Sequence, residues 1–393
     1  MEPLRIAVIG AGGISKAHGA AVTAHPEAQI AAVIDVSSEA AERRAGEWDV
    51  PAYTDLSKML DREKPGAAII GTPHPTHPDL TVACAAAGVH VLTEKPMAST
   101  VADADRMIAS AREAGIILAV VFQRRFWPVY TRAAELTAGG RMGPLVRTHL
   151  VGLSPRTMAY YRSGTWRATW SGEGGGVLLN QAPHTLDTLV WLGGMPQAVL
   201  ARLASCGHEI EVEDRADAVL TYAGGAAGYL HASTVEYPGT EQLTLSFDLG
   251  RVEIHGDELR LARLEKSTRE HITGSPEMWG KLAAERTEET LAAERHPGGV
   301  HGSVVADFVA AVREKRAPTI TGEEGRKSLE LANAITLSHF LGREVGLPVD
   351  RGAYDELLAF LQKKAKDRRI GSVRYKPPKA KGAKRTARGK RKG

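Results

Sequence analysis

LRIAVIGAGGIS, residues 4–15, is the stretch whose reading decides the fold. Six mostly apolar residues run into GAGGIS, and a helical pattern follows directly. A short unbroken apolar run reads as a strand buried on both faces. Gly10 permits a tight turn, and Gly12 leaves bare backbone for close approach of a phosphate. The following helix start offers free N–H groups and the positive end of its dipole. The third glycine of G-x-G-x-x-G is replaced by Ser15, small enough for close helix–strand packing. Asp35 closes the next apolar run, at the distance where an acid meets a ribose 2′-hydroxyl. A carboxylate there repels a 2′-phosphate, so NAD is favoured over NADP; no Arg follows Asp35 directly, although Arg43 and Arg44 are near.

Outward from this stretch the theme repeats. Apolar runs at 30–34, 67–71, 89–92 and 116–122 alternate with helical patterns at 15–25, 38–47, 55–62, 77–87 and 100–114. This predicts βαβ units around a parallel sheet. Beyond it a strand is expected at 144–153. Strands in series follow from 197 to 262, with turns at Gly224-Gly225, Pro238-Gly239 and Gly256-Asp257. Helices are expected at 183–192, 302–315 and 323–342, and the charged stretch 263–300 has no clear pattern. The expected fold is α/β. Residues 1–125 form a Rossmann domain with a parallel sheet. Residues 126–355 form a substrate-binding and oligomerisation α+β domain with an open, mostly antiparallel sheet, and a basic, disordered tail runs from 363 to 393.

Composition excludes several classes. The chain has 393 residues, 43% hydrophobic and 24% charged, an ordinary globular mixture too long for one core. Its two cysteines, Cys84 and Cys206, make no disulfide framework, and a reducing, cytoplasmic setting is expected. No signal peptide and no membrane-spanning run is read, and His271, His296 and His301 lack metal-ligand spacing, so no metal is expected. The net charge of +4 conceals an asymmetry: the tail carries fifteen Lys and Arg against one acid, leaving the remainder near −10. Such a tail is usually solvated, but it can touch a polyanion non-specifically.

Three further motifs recur in order: GTPHPTH at 71–77, AAGVHVLTEKP at 86–96 and GGGVLLNQAPHTLD at 174–187. With the opening turn they resemble the Gfo/Idh/MocA family of NAD(P)-dependent oxidoreductases over about residues 4–350. The resemblance implies hydride transfer between NAD and a secondary alcohol of a sugar, cyclitol or glycoside. It implies Lys95 and His184 at the reacting oxygen, and homodimers or homotetramers formed through the open sheet. The expected cofactor contacts are Gly10, Gly12, Gly13, Ile14, Asp35, Thr72, Pro73, His77, Glu94, Lys95 and Gln123. The chain departs from the family pattern at His74, where Asn is frequent, and at Asn180, where Asp is usual. Asn cannot accept a proton, so Asn180 is expected to orient a hydroxyl or His184. The stretch YYRSGTWRATWSGE at 160–173 supplies aromatic faces and guanidinium groups suited to a sugar. Tyr161, Trp166, Arg167 and Trp170 are the residues chosen from it. Asp187 is expected to bind substrate or hold His184, and Arg125 to reach the site or make an interdomain ion pair. Two alternatives stand beside the dehydrogenase. One is an NAD-retaining glycosidase or epimerase working through transient oxidation; the other is a non-catalytic sensor of sugar and NAD.

Overall fold

The computed structural model describes residues 2–292, 296–364 and 369–377. Six parallel strands form the first sheet: β1 (Leu4–Ile9), β2 (Ala28–Ile34), β3 (Ala52–Tyr53), β4 (Ala67–Ile70), β5 (His90–Thr93) and β6 (Leu118–Val120). Their order is β3-β2-β1-β4-β5-β6. The strands are apolar without alternation because helices cover both faces, and Ile6, Val8, Ile69, Ile70 and Leu92 are buried. Chain order reverses between β2, β1 and β4, where open α/β sheets place a ligand crevice beyond the strand ends.

The intervening helices are α1 (Ser15–Thr23), α2 (Ser38–Trp48), α3 (Leu56–Glu63), α4 (His77–Ala86) and α5 (Val101–Ala114). Local chemistry sets several ends. Ser37, Asp55 and Thr100 accept from the backbone N–H of Ala40, Lys58 and Asp103. Gly115 closes α5 in the left-handed conformation.

After α6 (Pro128–Thr137) comes a nine-stranded sheet. It contains β7 (Leu145–Leu153), β8 (Ala198–Ala204), β9 (Arg215–Thr221), β10 (Ala227–Ser233), β11 (Thr240–Phe247), β12 (Gly250–His255), β13 (Glu258–Leu264), β14 (Ala284–Thr290) and β15 (Val345–Gly346). Order is β14-β13-β12-β11-β7-β10-β9-β8-β15. Only β7 and β10 pair in parallel; the other pairs are antiparallel. The stretch without clear pattern thus holds the charged edge strand β14 and α9 (Thr268–Gly274). One face of this sheet is covered by α8 (Pro183–Gly193) and α11 (Gly322–Leu341). The opposite face leaves Leu200, Val219 and Tyr229 45–49% exposed.

Helix α11 belongs to both halves. It packs on α5 and β6 and also on α8 and β8, and it is buried from Ser328 to Ser338. At its centre Asn333 Nδ2 donates to the Ser99 carbonyl at 3.2 Å, and its Oδ1 accepts from Val101 N–H at 3.1 Å. The short α7 (Met158–Tyr161), α10 (Gly302–Glu314) and α12 (Arg351–Lys364) complete the framework. The basic extension is partly packed: Lys363 and Lys364 finish α12, and Ile370 and Val373 are buried. Residues 365–368 and 378–393 lie outside the described residues. Among the described residues no helix is long and apolar enough to cross a membrane.

Candidate active site

A single cleft of about 870 Å³ runs from the glycine turn after β1 to the segment 160–180. Gly10 sits at φ +102°, and a Cβ on it would lie 2.7 Å from the Gly71 carbonyl oxygen, so only glycine fits. Cβ atoms on Gly12 and Gly13 would meet nothing within 4 Å. The cleft therefore has bare backbone on its wall at the start of α1. Ser15 Oγ donates to the Gly12 carbonyl at 2.6 Å, which tightens the turn where a third glycine is usual. Asp35 Oδ2 accepts from Ala11 N–H at 2.8 Å and Oδ1 from Ser37 N–H at 2.9 Å, so the carboxylate is fixed at the end of β2. Arg44 pairs with Glu47, lies over Trp48 and reaches the Gly12 carbonyl at 3.5 Å. Exposed glycine backbone, a helix start and a fixed carboxylate together fit a dinucleotide with a free 2′-hydroxyl.

At the far end, Lys95 Nζ donates to the Asn180 carbonyl at 2.9 Å. Burial lowers the Lys95 pKa, while Glu94 and Glu173 pull it back up. The Asn180 amide is held on both sides: Oδ1 accepts from Tyr160 OH at 3.0 Å, and Nδ2 donates to Glu173. Arg167 donates to Tyr160 OH at 2.8 Å and lies 4.5 Å over both the Tyr160 and Trp166 rings. Glu173 is buried, and burial pushes its carboxyl up to about 7. His74 Nδ1 lies 3.0 Å from the Glu173 carbonyl oxygen, and burial, with His77 beside it, lowers the His74 pKa to about 3. His184 opens α8 against the edge of Phe122. Burial holds its pKa well below the usual imidazole value, and the nearby charges of Lys95 and Arg124 add to this. These effects favour the neutral ring.

Gly10, Gly12, Gly13, Ile14, Asp35, Thr72, Pro73, Glu94, Lys95, Trp166, Arg167 and Asn180 all line the cleft. Six expected site residues do not. His77 is fully buried, its ring nitrogens 2.7 and 3.1 Å from the carbonyl oxygens of Thr72 and Pro96, so it ties two loops together. Gln123 lies on the turn after β6 and is not among the lining residues. Tyr161 points inward and shares a hydrogen bond with Thr234 at 2.9 Å. Trp170 is 0% exposed, packed on Phe340. Asp187 is also 0% exposed, with both oxygens taken by Arg125 at 2.7 and 2.9 Å. It touches neither the cleft nor His184, because burial demands that its charge be paired. Arg125 is accordingly an interior ion-pair residue, also 3.0 Å from Glu324. His184 stands beside the cleft, outside its lining set. Tyr160, Ser163 and His74 line the cleft without having been chosen as contacts, and Glu173 lies just behind it. Glu173 had one legible signal: a carboxylate immediately before three glycines.

Comparison with known proteins identifies both halves of the chain. Residues 4–122 match the oxidoreductase family with NAD-binding Rossmann fold, and residues 130–262 match the GFO/IDH/MocA C-terminal domain. The chain is 27% identical over 320 residues to 1,5-anhydro-D-fructose reductase from Ensifer adhaerens, covering 79% of this chain and 90% of that one. It is 26% identical over 337 residues to myo-inositol 2-dehydrogenase from Thermotoga maritima, covering 84% and 95%. The WlbA dehydrogenase from Bordetella pertussis, solved with NADH and UDP-GlcNAcA, superposes with a TM-score of 0.76 at 28% identity, covering 89% and 99%. With both halves matched and the cofactor cleft in place, the chain belongs to the Gfo/Idh/MocA family of NAD-binding oxidoreductases.

Proposed function

We propose that this oxidoreductase transfers a hydride between NAD and a secondary alcohol of a sugar, cyclitol or glycoside. The observation that carries the reading is the continuity of the cleft: Asp35 and the glycine turn line one end, and Lys95, Asn180, Tyr160 and Arg167 the other. When bound, the dinucleotide supplies the redox change. Lys95 keeps its positive charge near Glu94 and Glu173, and stabilises the oxygen as it becomes an alkoxide. Neutral His184 takes the hydroxyl proton, a role worth roughly 10²–10⁴ in rate. Asn180 cannot take that proton; clamped by Tyr160 and Glu173, it orients a neighbouring hydroxyl. Trp166 and the Arg167–Tyr160 stack offer a flat apolar face and hydrogen-bond donors to a polyol. The relatives' named substrates, an anhydro-sugar and an inositol, support this class. A second copy is the proposed cover for the sheet face carrying Leu200, Val219 and Tyr229.

The test is NAD+ reduction across inositols, aldoses, anhydro-sugars, glucosides and sugar acids, with Lys95→Ala and His184→Ala as controls. Each substitution is expected to lower turnover at least about tenfold, with NAD affinity largely kept. Unchanged turnover in both variants overturns the assigned roles. Product formation without NADH release moves the reading to transient oxidation with retained cofactor.

A further inference from the structure

We propose that His18, Glu94 and His301 form a binding site for a late first-row divalent cation such as Zn2+, beneath the cofactor cleft. The three residues come from distant stretches: His18 from α1, Glu94 from the end of β5, and His301 from the turn that leads into α10. The spacing of the histidines in sequence gives no hint of this, and the proposal departs from the expectation of no metal. All three side chains are buried, and their donor atoms lie within 4.8 Å of one another. Glu94 Oε1 is 3.0 Å from His18 Nε2 and 3.6 Å from His301 Nε2. Nitrogen and oxygen ligands about 2.0–2.2 Å from one tetrahedral ion stand at much this separation. The two rings meet edge-on, with centroids 5.0 Å apart, so both can face one point without stacking.

Hydrogen bonding does not satisfy the trio. Both ring nitrogens of His18, Nδ1 of His301 and Oε1 of Glu94 are buried with no hydrogen-bond partner among the described residues. The 3.0 Å contact between His18 and Glu94 is close but poorly aligned. Buried polar atoms are nearly always partnered, and an ion held by Nε2 of His18, Nε2 of His301 and Oε1 of Glu94 would partner two of these four atoms, His18 Nε2 and Glu94 Oε1. Two neutral imidazoles and one carboxylate carry one negative charge, which favours a dication. The nitrogen ligands select zinc or a similar metal over Mg2+ and Ca2+, which take oxygen shells. The remaining oxygen, Glu94 Oε2, accepts from the Lys95 N–H at 3.1 Å, so the proposed ligand also anchors the backbone of the EKP motif. The ion joins α1, β5 and the approach to α10, and its role is to staple them.

The test uses the full chain stripped by chelation and titrated with Zn2+ alone, read by competition with a chromogenic chelator. Co2+, read by its visible absorption, reports ligand geometry. One equivalent of Zn2+ per chain is expected, with a melting temperature that rises with Zn2+ and not with Mg2+. His301→Gln and His18→Gln should each weaken Zn2+ binding by more than the roughly tenfold that losing even an outer-shell partner produces. His271→Gln, on the outlying α9, should leave it unchanged. The melting temperature of the metal-free variants reports folding, and if His18→Gln does not fold, His301→Gln decides. Absence of stoichiometric Zn2+, or equal binding by the wild type and His301→Gln, overturns the site.

Discussion

Tyr160 and Tyr161 are adjacent, chemically identical and opposite in fate. The first lines the cleft and holds Asn180; the second is buried against Thr234 and His208. Nothing in a four-residue helix with no sequence period reveals which of two tyrosines faces the cleft, and Tyr161 is the one turned away from it. Asp187 misled for a different reason. It shares a helical face with His184 in sequence, but it meets Arg125, sixty-two positions away. Asp187→Ala should lower stability by about 3–5 kcal/mol, the usual cost of leaving a buried charge without its partner. The lower end is expected, since Glu324 still contacts Arg125; urea denaturation measures it. Glu173 offers a second residue-scale test. A buried carboxyl pushed up to about 7 changes charge beside Asn180 and Lys95 in the neutral range. Glu173→Gln keeps an acceptor for the Ala168 N–H but cannot titrate, so it should remove an inflection near pH 7 from the pH–turnover profile.

Elements were far more legible than side chains. Five of the six parallel strands and helices α1 to α5 announce themselves through apolar runs and helical patterns, and their observed ends fall within a few residues of those expected, whereas the two-residue β3 was not expected. The parts that escaped are those whose sequence signal is weak or masked. β14, AERTEET, is an exposed edge strand and carries charge instead of alternation. α12 buries Tyr354, Leu357, Leu358 and Leu361 on one face, but its last turn merges into the basic tail and hid the helix within it. The helix caps are testable at this scale. Thr321 begins α11 by accepting from the Glu324 N–H. Thr321→Ala should cost about 1 kcal/mol. The loss should appear as a lower denaturation midpoint with an unchanged slope, since among the described residues that hydroxyl bonds only the Glu324 N–H.

For the molecule as a whole, imidazoles that are buried uncharged contribute to the acid response. His74, with its pKa lowered to about 3, takes up a proton when unfolded near pH 6.5 but not when folded. The unfolded chain thus binds more protons between these values, and stability falls as pH drops from about 6.5 towards 3. His184 acts in the same direction, while Glu173 and Glu213, raised to about 7 by burial, oppose it over the range between their ordinary and raised values. His74→Asn retains a side-chain donor near the Glu173 carbonyl and removes the titration. Its melting temperature should therefore decline less than that of the wild type over the same acid range.

The Asn333 contact at the centre of α11 also bears on how the two sheets move. One buried amide seizes the loop that follows the EKP motif, while the same helix underlies β8 of the other sheet. A keel shared by both hulls couples any movement of one sheet to the other.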